Sequence, residues 1–407
     1  MAFCMHRSFQ SATLTRARLL NIANGSQRVF SSTPSFFRGA LPEFLPASSP
    51  ELTELLSTLN RLILFPHHFT KQQAQLAFRK ENAARLESEP VEITLGNVTL
   101  PLVHIDRFND VPTRKTHISR ILKSSKTPAD WENVVRMLEG LADAKIPLRK
   151  GMMSATLRAI ADAGMPNLIL KAVQRGTDTG LLLKDEDMAV RVLRLFTVHA
   201  ARNNWDAAET EKILGMMEQV IEVMDEPAHL GNKPLSPGDP RTSPLLIGLV
   251  ANMAAIHAKN AGEGDTDGKV EKYTKRLVSA LREDIQSLEV HINSLERFTT
   301  PADATNSSKL ELHAVMAAMA IVKRLTPIQV ALRDSRELLG DKMPEQEFAK
   351  RWEDKLGSAV EAARTAINVS KEIIQKEKEL KANASLIEAS QTEELKTETL
   401  KTEELKA

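Results

Sequence analysis

Ala142-Asp143-Ala144-Lys145-Ile146-Pro147-Leu148 and Thr177-Asp178-Thr179-Gly180-Leu181-Leu182-Leu183 overlie each other at a shift of 35 residues, Asp143 on Asp178. At the same shift Val134, Val135 and Leu138 fall on Ile169, Leu170 and Val173. Met153, Leu157 and Ile160 fall on Met188, Val192 and Leu195. Apolar positions thus match at helical spacing on both sides of a matching turn. A fixed period of this length is the mark of stacked helical hairpins.

Working outward, Thr127-Pro128-Ala129-Asp130 opens the first helix with a cap and an early proline. Pro147 breaks the chain before a second helix, about Arg149 to Ala163, and Gly164-Met165-Pro166 turns it. Asn203-Asn204 turns it again, and Trp205-Asp206-Ala207-Ala208 opens a helix through Met224. The partner of that helix, about Pro244 to Asn260, follows an insertion, Glu226 to Ser243, rich in proline and glycine. The insertion reads as a loop on one face of the stack.

The region Thr127–Met224 resembles degenerate pentatricopeptide and related tetratricopeptide helical repeats of mitochondrial proteins, to which its spacing is similar. A pentatricopeptide relationship implies binding of single-stranded organellar RNA, one base per repeat; a tetratricopeptide relationship implies a protein partner. The register does not identify base-reading residues.

Upstream, Ser49-Pro50-Glu51 opens a helix whose stripe is Leu52, Leu55, Leu56, Leu59, Leu62 and Ile63, with Pro66 expected to stop it. A polar helix, about Lys71 to Leu86, follows. Val91-Glu92-Ile93-Thr94-Leu95 and Val98-Thr99-Leu100-Pro101-Leu102 flank Gly96-Asn97 and predict a β-hairpin. A lone hairpin is marginal in water, so it must pack on something. Downstream, helices are expected at Lys269 to Phe298, Lys309 to Leu325, Pro327 to Leu339 and Pro344 to Leu380. The near-repeats after Thr392 form a charged tail that cannot bury a core.

The fold class expected is all-α: an irregular α-solenoid of helical hairpins with one small N-terminal β-hairpin and long C-terminal helices. Aromatic content of only 4% and a single tyrosine, Tyr273, agree with that class. The division expected is 1–30 presequence, 31–50 linker, 51–112 N-terminal helices and hairpin, 113–298 helical-repeat domain, 306–380 C-terminal helices and 381–407 tail.

The leader carries the cellular address. Its first 30 residues hold Arg7, Arg16, Arg18 and Arg28 and no acid; the first acid in the chain is Glu43. Leu14, Leu19 and Ile22 give an amphipathic helix with arginines opposite, the profile of a mitochondrial presequence. Arg28-Val29-Phe30-Ser31 resembles a matrix-peptidase site. Loss of the leader takes the net charge from +1 to −3 and removes the only cysteine, Cys4, and with it any disulfide or thiolate metal site. The longest apolar runs, Leu245 to Ala258 and Leu312 to Val322, fall short of the roughly 20 residues of a membrane span, so no transmembrane segment is expected.

Chemistry-bearing motifs do not emerge. No phosphate-binding glycine loop, nucleophile elbow or zincin pair occurs. Gly262 to Gly268 lacks the ligand spacing of a calcium loop and reads as a flexible connection. No cofactor, metal or catalytic residue is assigned, and a non-enzyme is expected. What remains is charge. Arg107, Arg114, Lys115, Arg120, Lys123 and Lys126 lie in a stretch with one acid, Asp110, and Arg158 and Arg194 recur on second helices of the array. These eight residues are the candidate nucleic-acid contacts, on RNA or a mitoribosome; the alternative, which the sequence favours slightly, is ordinary solvated helix faces. The function expected is a matrix protein of organellar gene expression, associated with RNA or the mitoribosome. The alternative is a protein-binding scaffold or assembly factor. A positive groove linking Arg114, Lys123, Arg158 and Arg194 would favour RNA.

Overall fold

The computed structural model describes residues 39–299 apart from 232, 237 and 263, residues 308–372 apart from 370, and residue 375. The leader and charged tail lie outside these residues. The described chain is all-α except for one antiparallel hairpin.

Ser49 caps α1 (Pro50–Thr58), its hydroxyl accepting the Leu52 N–H at 3.2 Å. Pro66 does not end the helical path. The chain continues as a π turn, Leu59–Leu64, then a tight 3-10 turn, Phe65–His68. Pro66 sits at the start of that turn, where its missing N–H costs little. The single helix expected over 71–86 is broken into α2 (Lys71–Phe78) and α3 (Ala83–Ser88), because Arg79 takes an extended conformation. Strands β1 (Val91–Leu95) and β2 (Val98–Leu102) pair as the pattern required, with Leu95 opposite Val98 across Gly96-Asn97. Ile93, Leu95 and Leu102 join the core, which supplies the packing a lone hairpin lacks.

Helix α4 (Arg114–Ser124) turns Ile118 and Ile121 inward and packs on α1, where His117 Nε2 meets the Leu55 carbonyl at 2.9 Å. The next helices are α5 (Pro128–Asp143), α6 (Lys150–Asp162), α7 (Pro166–Gln174), the short α8 (Gly176–Thr179), α9 (Glu186–Arg202), α10 (Ala207–Val223) and α11 (Pro244–Ala261). They form two layers. Helix α5 packs on α7 and α7 on α10; α6 packs on α9 and α9 on α11. The helix ends share one device. Ile146 N–H returns to Leu141 O, Met165 N–H to Ile160 O and Trp205 N–H to Ala200 O, each closing a Schellman turn. The left-handed residue of each turn is Lys145, Gly164 and Asn204 respectively.

Residues 39–48 run along α5. Leu45 and Asn133 exchange two hydrogen bonds at 2.7 and 2.9 Å, Ser48 bonds to Asp130, and Arg136 donates to the Glu43 carbonyl. The spacing of Asp130, Asn133 and Arg136 puts all three on one helix face.

The insertion after α10 is built around a buried arginine. Arg241 reaches Asp225 at 2.7 Å, Asp239 at 2.6 Å, and the carbonyls of Gly231 and Lys233 at 3.1 Å. His229 also folds inward. Its Nδ1 accepts the Leu183 N–H at 3.0 Å and its Nε2 meets the Val173 carbonyl at 3.2 Å. The ring lies so close to α8 that a Cβ on Gly176 would fall 2.7 Å from it.

Helix α11 is apolar almost all round and forms the centre of the core, touching α9, α10, α12 (Lys269–Glu283) and α14 (Ser308–Leu339). The long helix expected over 269–298 is instead α12 (Lys269–Glu283) and α13 (Ile285–Thr299), parted at Asp284. Asp265 accepts from the N–H groups of Val270 and Glu271, at 2.9 Å each, so the 262–268 segment caps α12. Conversely, the two helices expected on either side of Pro327 are one, α14 (Ser308–Leu339). A Cβ on Gly248 would lie 3.2 Å from Ile328 Cα, so α11 and α14 approach closely at the proline. Packing at this crossing holds together a helix that local propensity would break. It also corrects the reading of the apolar runs. Val315–Lys342 is long and apolar enough, by length and composition, to cross a bilayer. Here it packs on α11 and α12, and Arg336 pairs with Glu353 of α15 (346–369) at 2.8 Å.

Candidate nucleic-acid interface

Four helices deliver cations to one cleft of about 890 Å³. Helix α6 contributes Arg158, α9 contributes Arg191 and Arg194, α14 contributes Lys323 and Arg324, and α15 contributes Arg364. Burial dictates this placement. On α9, Val192, Leu193 and Phe196 turn into the core, which leaves Arg191, Arg194 and Val198 on the outward side. On α14, Ile321 and Leu325 are buried, leaving Lys323 exposed and Arg324 half-buried.

The cleft also contains Glu186 and Asp187, which sit in the first turn of α9, where the helix dipole favours acids. Glu186 is already engaged. It accepts from Ser243 Oγ at 2.6 Å and pairs with Arg324 at 3.3 Å. Arg194 donates to the Lys323 carbonyl, a neutral partner, while Glu186 and Asp187 offset part of its charge. Burial, reinforced by repulsion from Arg191 and Arg324, holds the Arg194 guanidinium below the usual arginine range. Val190, Leu195, Val198, Ile321 and Val322 supply most of the apolar lining, and His291 and Thr326 add polar groups. Six cations against two acids over an apolar floor suit a polyanion whose phosphates meet the arginines. Among the described residues no Phe, Tyr or Trp lines the cleft, and His291 is the one aromatic ring there.

Of the eight candidate contacts read from the sequence, the cleft brings together Arg158 and Arg194 alone. Arg114, Lys115, Arg120, Lys123 and Lys126 are exposed on or next to α4, with Arg120 facing Glu51 at 3.7 Å, and none lines the cleft. Arg107 stacks over Phe78, 3.7 Å from its centroid. The cleft therefore joins Arg158 and Arg194 without Arg114 or Lys123 in its lining. Lys323, Arg324 and Arg364 escaped sequence reading, because nothing local ties residues near 324 or 364 to α6 and α9. The Lys323-Arg324 pair closing an apolar run was the one available signal.

The chain is similar to a mitochondrial ribosomal protein. Small ribosomal subunit protein mS27 of Neurospora crassa is 26% identical over 203 residues, 50% of this chain and 51% of that protein. The similarity thus spans about half the length of the relative. The model of the family Mrp13, mitochondrial ribosomal protein mS27, matches residues 28–388. The chain belongs to the mitochondrial ribosomal protein mS27 family.

Proposed function

We propose that the chain is a non-catalytic component of the small subunit of the mitochondrial ribosome, working in the matrix, and that its basic cleft holds a segment of ribosomal RNA by the backbone. The observation that carries this is the convergence of Arg158, Arg191, Arg194, Lys323, Arg324 and Arg364 on one cleft in a member of the mS27 family. Phosphate contact of this kind positions an RNA without reading its sequence. The layered pairs α5 to α11 are degenerate helical repeats of the pentatricopeptide–tetratricopeptide type used as a rigid frame. Residues 1–30 act as the import signal and are removed, leaving a linker, the N-terminal helices and hairpin, the repeat domain, the C-terminal helices and a charged tail.

The test is sedimentation. A tagged chain expressed in mitochondria should travel with the small subunit on a sucrose gradient. A triple variant, Arg158→Glu, Arg191→Glu and Arg364→Glu, should remain near the top while keeping the wild-type thermal melt. Wild-type protein absent from the ribosomal fractions would sink the ribosomal assignment. Full co-sedimentation of the triple variant would sink the cleft. An intact Met1 on the matrix protein would contradict the import signal.

A further inference from the structure

Phe108 is 95% exposed, far more than any other large apolar side chain among the described residues. It is held there by a closed turn. Asp106 Oδ1 accepts the Phe108 N–H at 2.9 Å and the Asn109 N–H at 3.4 Å, and Asp106 Oδ2 accepts Asn109 Nδ2 at 2.7 Å. Asp110 Oδ2 accepts the Asp106 N–H at 2.8 Å, and the Asp110 N–H returns to Asp106 O at 2.9 Å. The base of the turn is anchored by buried Ile105, whose N–H donates to Ala77 O at 2.9 Å. A loose loop would fold its phenylalanine onto the core, whereas this turn keeps the ring in water.

The surroundings are basic. Arg107 is exposed and stacked on Phe78, and Arg114 and Lys115 open α4 with no acid in its first turn. Arg107 flanks Phe108 directly in sequence, and the exposed Arg114 and Lys115 follow within seven residues at the start of α4. The two nearby acids, Asp106 and Asp110, are occupied within the turn. The basic surface on and before α4, which the cleft does not use, thus carries one fixed, protruding aromatic ring. Over 107–126 there are six lysines and arginines to one acid. That excess fits a phosphate-bearing partner, and a hydrophobic protein socket would have no use for it.

We infer that Phe108 is a base-stacking finger, taking an unpaired RNA base on its ring while Arg107, Arg114 and Lys115 hold the flanking phosphates. This rests on the ribosomal reading only for which RNA is met. Stacking of one base on an aromatic ring contributes about 1–3 kcal/mol, or roughly 5- to 150-fold in affinity.

The experiment uses the full chain carrying Phe108→Trp, with wild-type emission from Trp131, Trp205 and Trp352 subtracted, titrated with a single-stranded 12-mer RNA of mixed sequence. The added indole emission should be quenched saturably. Phe108→Ala should weaken binding by ~5-fold or more in anisotropy, and Phe108→Tyr should restore it. RNA binding seen by anisotropy with no change in the added emission overturns the finger and leaves the cleft standing. Absence of RNA binding by wild type overturns the finger and the RNA part of the cleft reading together, while sedimentation still reports ribosomal membership. Unaltered RNA affinity in Phe108→Ala, with loss of co-sedimentation, overturns the finger in favour of a protein socket.

Discussion

Asp130→Asn should destabilise the protein by about 3 kcal/mol at pH 7 and by less in acid. Asp130 is fully buried, at 0% exposure, and its carboxylate accepts four hydrogen bonds. Ser48 Oγ donates at 2.6 Å, Thr127 N at 2.8 Å, Ser48 N at 2.9 Å and Lys126 N at 3.0 Å. Burial alone would raise its pKa. The bonds from Ser48, Thr127 and Lys126 outweigh burial and hold the group far below the usual carboxylate range. An asparagine amide cannot serve this set. Placed one way, its NH₂ faces the N–H groups of Lys126 and Thr127; placed the other way, it faces the N–H of Ser48. At least one buried donor is left unpaired, and charge-assisted bonds become neutral ones. Each bond to a charged group contributes about 1.5–3 kcal/mol and each orphaned donor costs about 1–3 kcal/mol; partial retention of the network brings the sum near 3. The sign of the pH dependence follows from linkage. The folded pKa lies below the unfolded value of about 3.9, so the contribution is complete above pH ~4 and declines as the pH falls toward the folded value. Urea unfolding followed by far-ultraviolet circular dichroism at pH 7 and pH 3 measures both quantities. A variant within about 0.5 kcal/mol of wild type at pH 7, below the cost of one orphaned donor, would refute the network, as would a gap that widens in acid.

His229→Ala should destabilise by about 2 kcal/mol at pH 8, since it orphans the buried Leu183 N–H. Burial lowers the folded pKa of His229, so its contribution is present above about pH 6.5 and is lost as the pH falls; the difference in urea midpoint should narrow at pH 5. Gly248→Val should lower the thermal midpoint by driving a side chain against the Ile328 backbone, at a cost of about 1–3 kcal/mol. Lys145→Gly should stabilise by about 0.5–1 kcal/mol, seen as a higher thermal midpoint, because Lys145 holds a left-handed φ of 55° at the end of α5.

The candidate site was less legible than the fold. Arg158 and Arg194 could be singled out because they lie on the matched helices. Arg364 could not, because its approach to Arg158 depends on the path of α14 and α15. The α4 cations were legible as a cluster, but their absence from the cleft lining was not, since sequence spacing says nothing about which surfaces join. The exposure of Phe108 was also hidden: a phenylalanine between Arg107 and Asn109 reads the same whether its ring is buried or projecting. Only the tertiary structure, in which no other element covers the ring, distinguishes the two.

By itself the sequence determined what short-range physics controls. Periodicity at the spacing of 3.6 marked the paired helices from α5 to α11. Ser49, Thr127 and Asp206 marked helix starts, and Gly96-Asn97 marked the hairpin and its register. Tertiary structure decided the cases in which packing competes with propensity. Arg79 and Asp284 divided segments that read as continuous. Pro327 failed to divide α14, because its close crossing with α11 at Gly248 holds the helix together through the missing hydrogen bond. It also decided the cleft. Four helices far apart in sequence share one solvent-facing surface once their apolar faces are buried, and the charges left outside meet there.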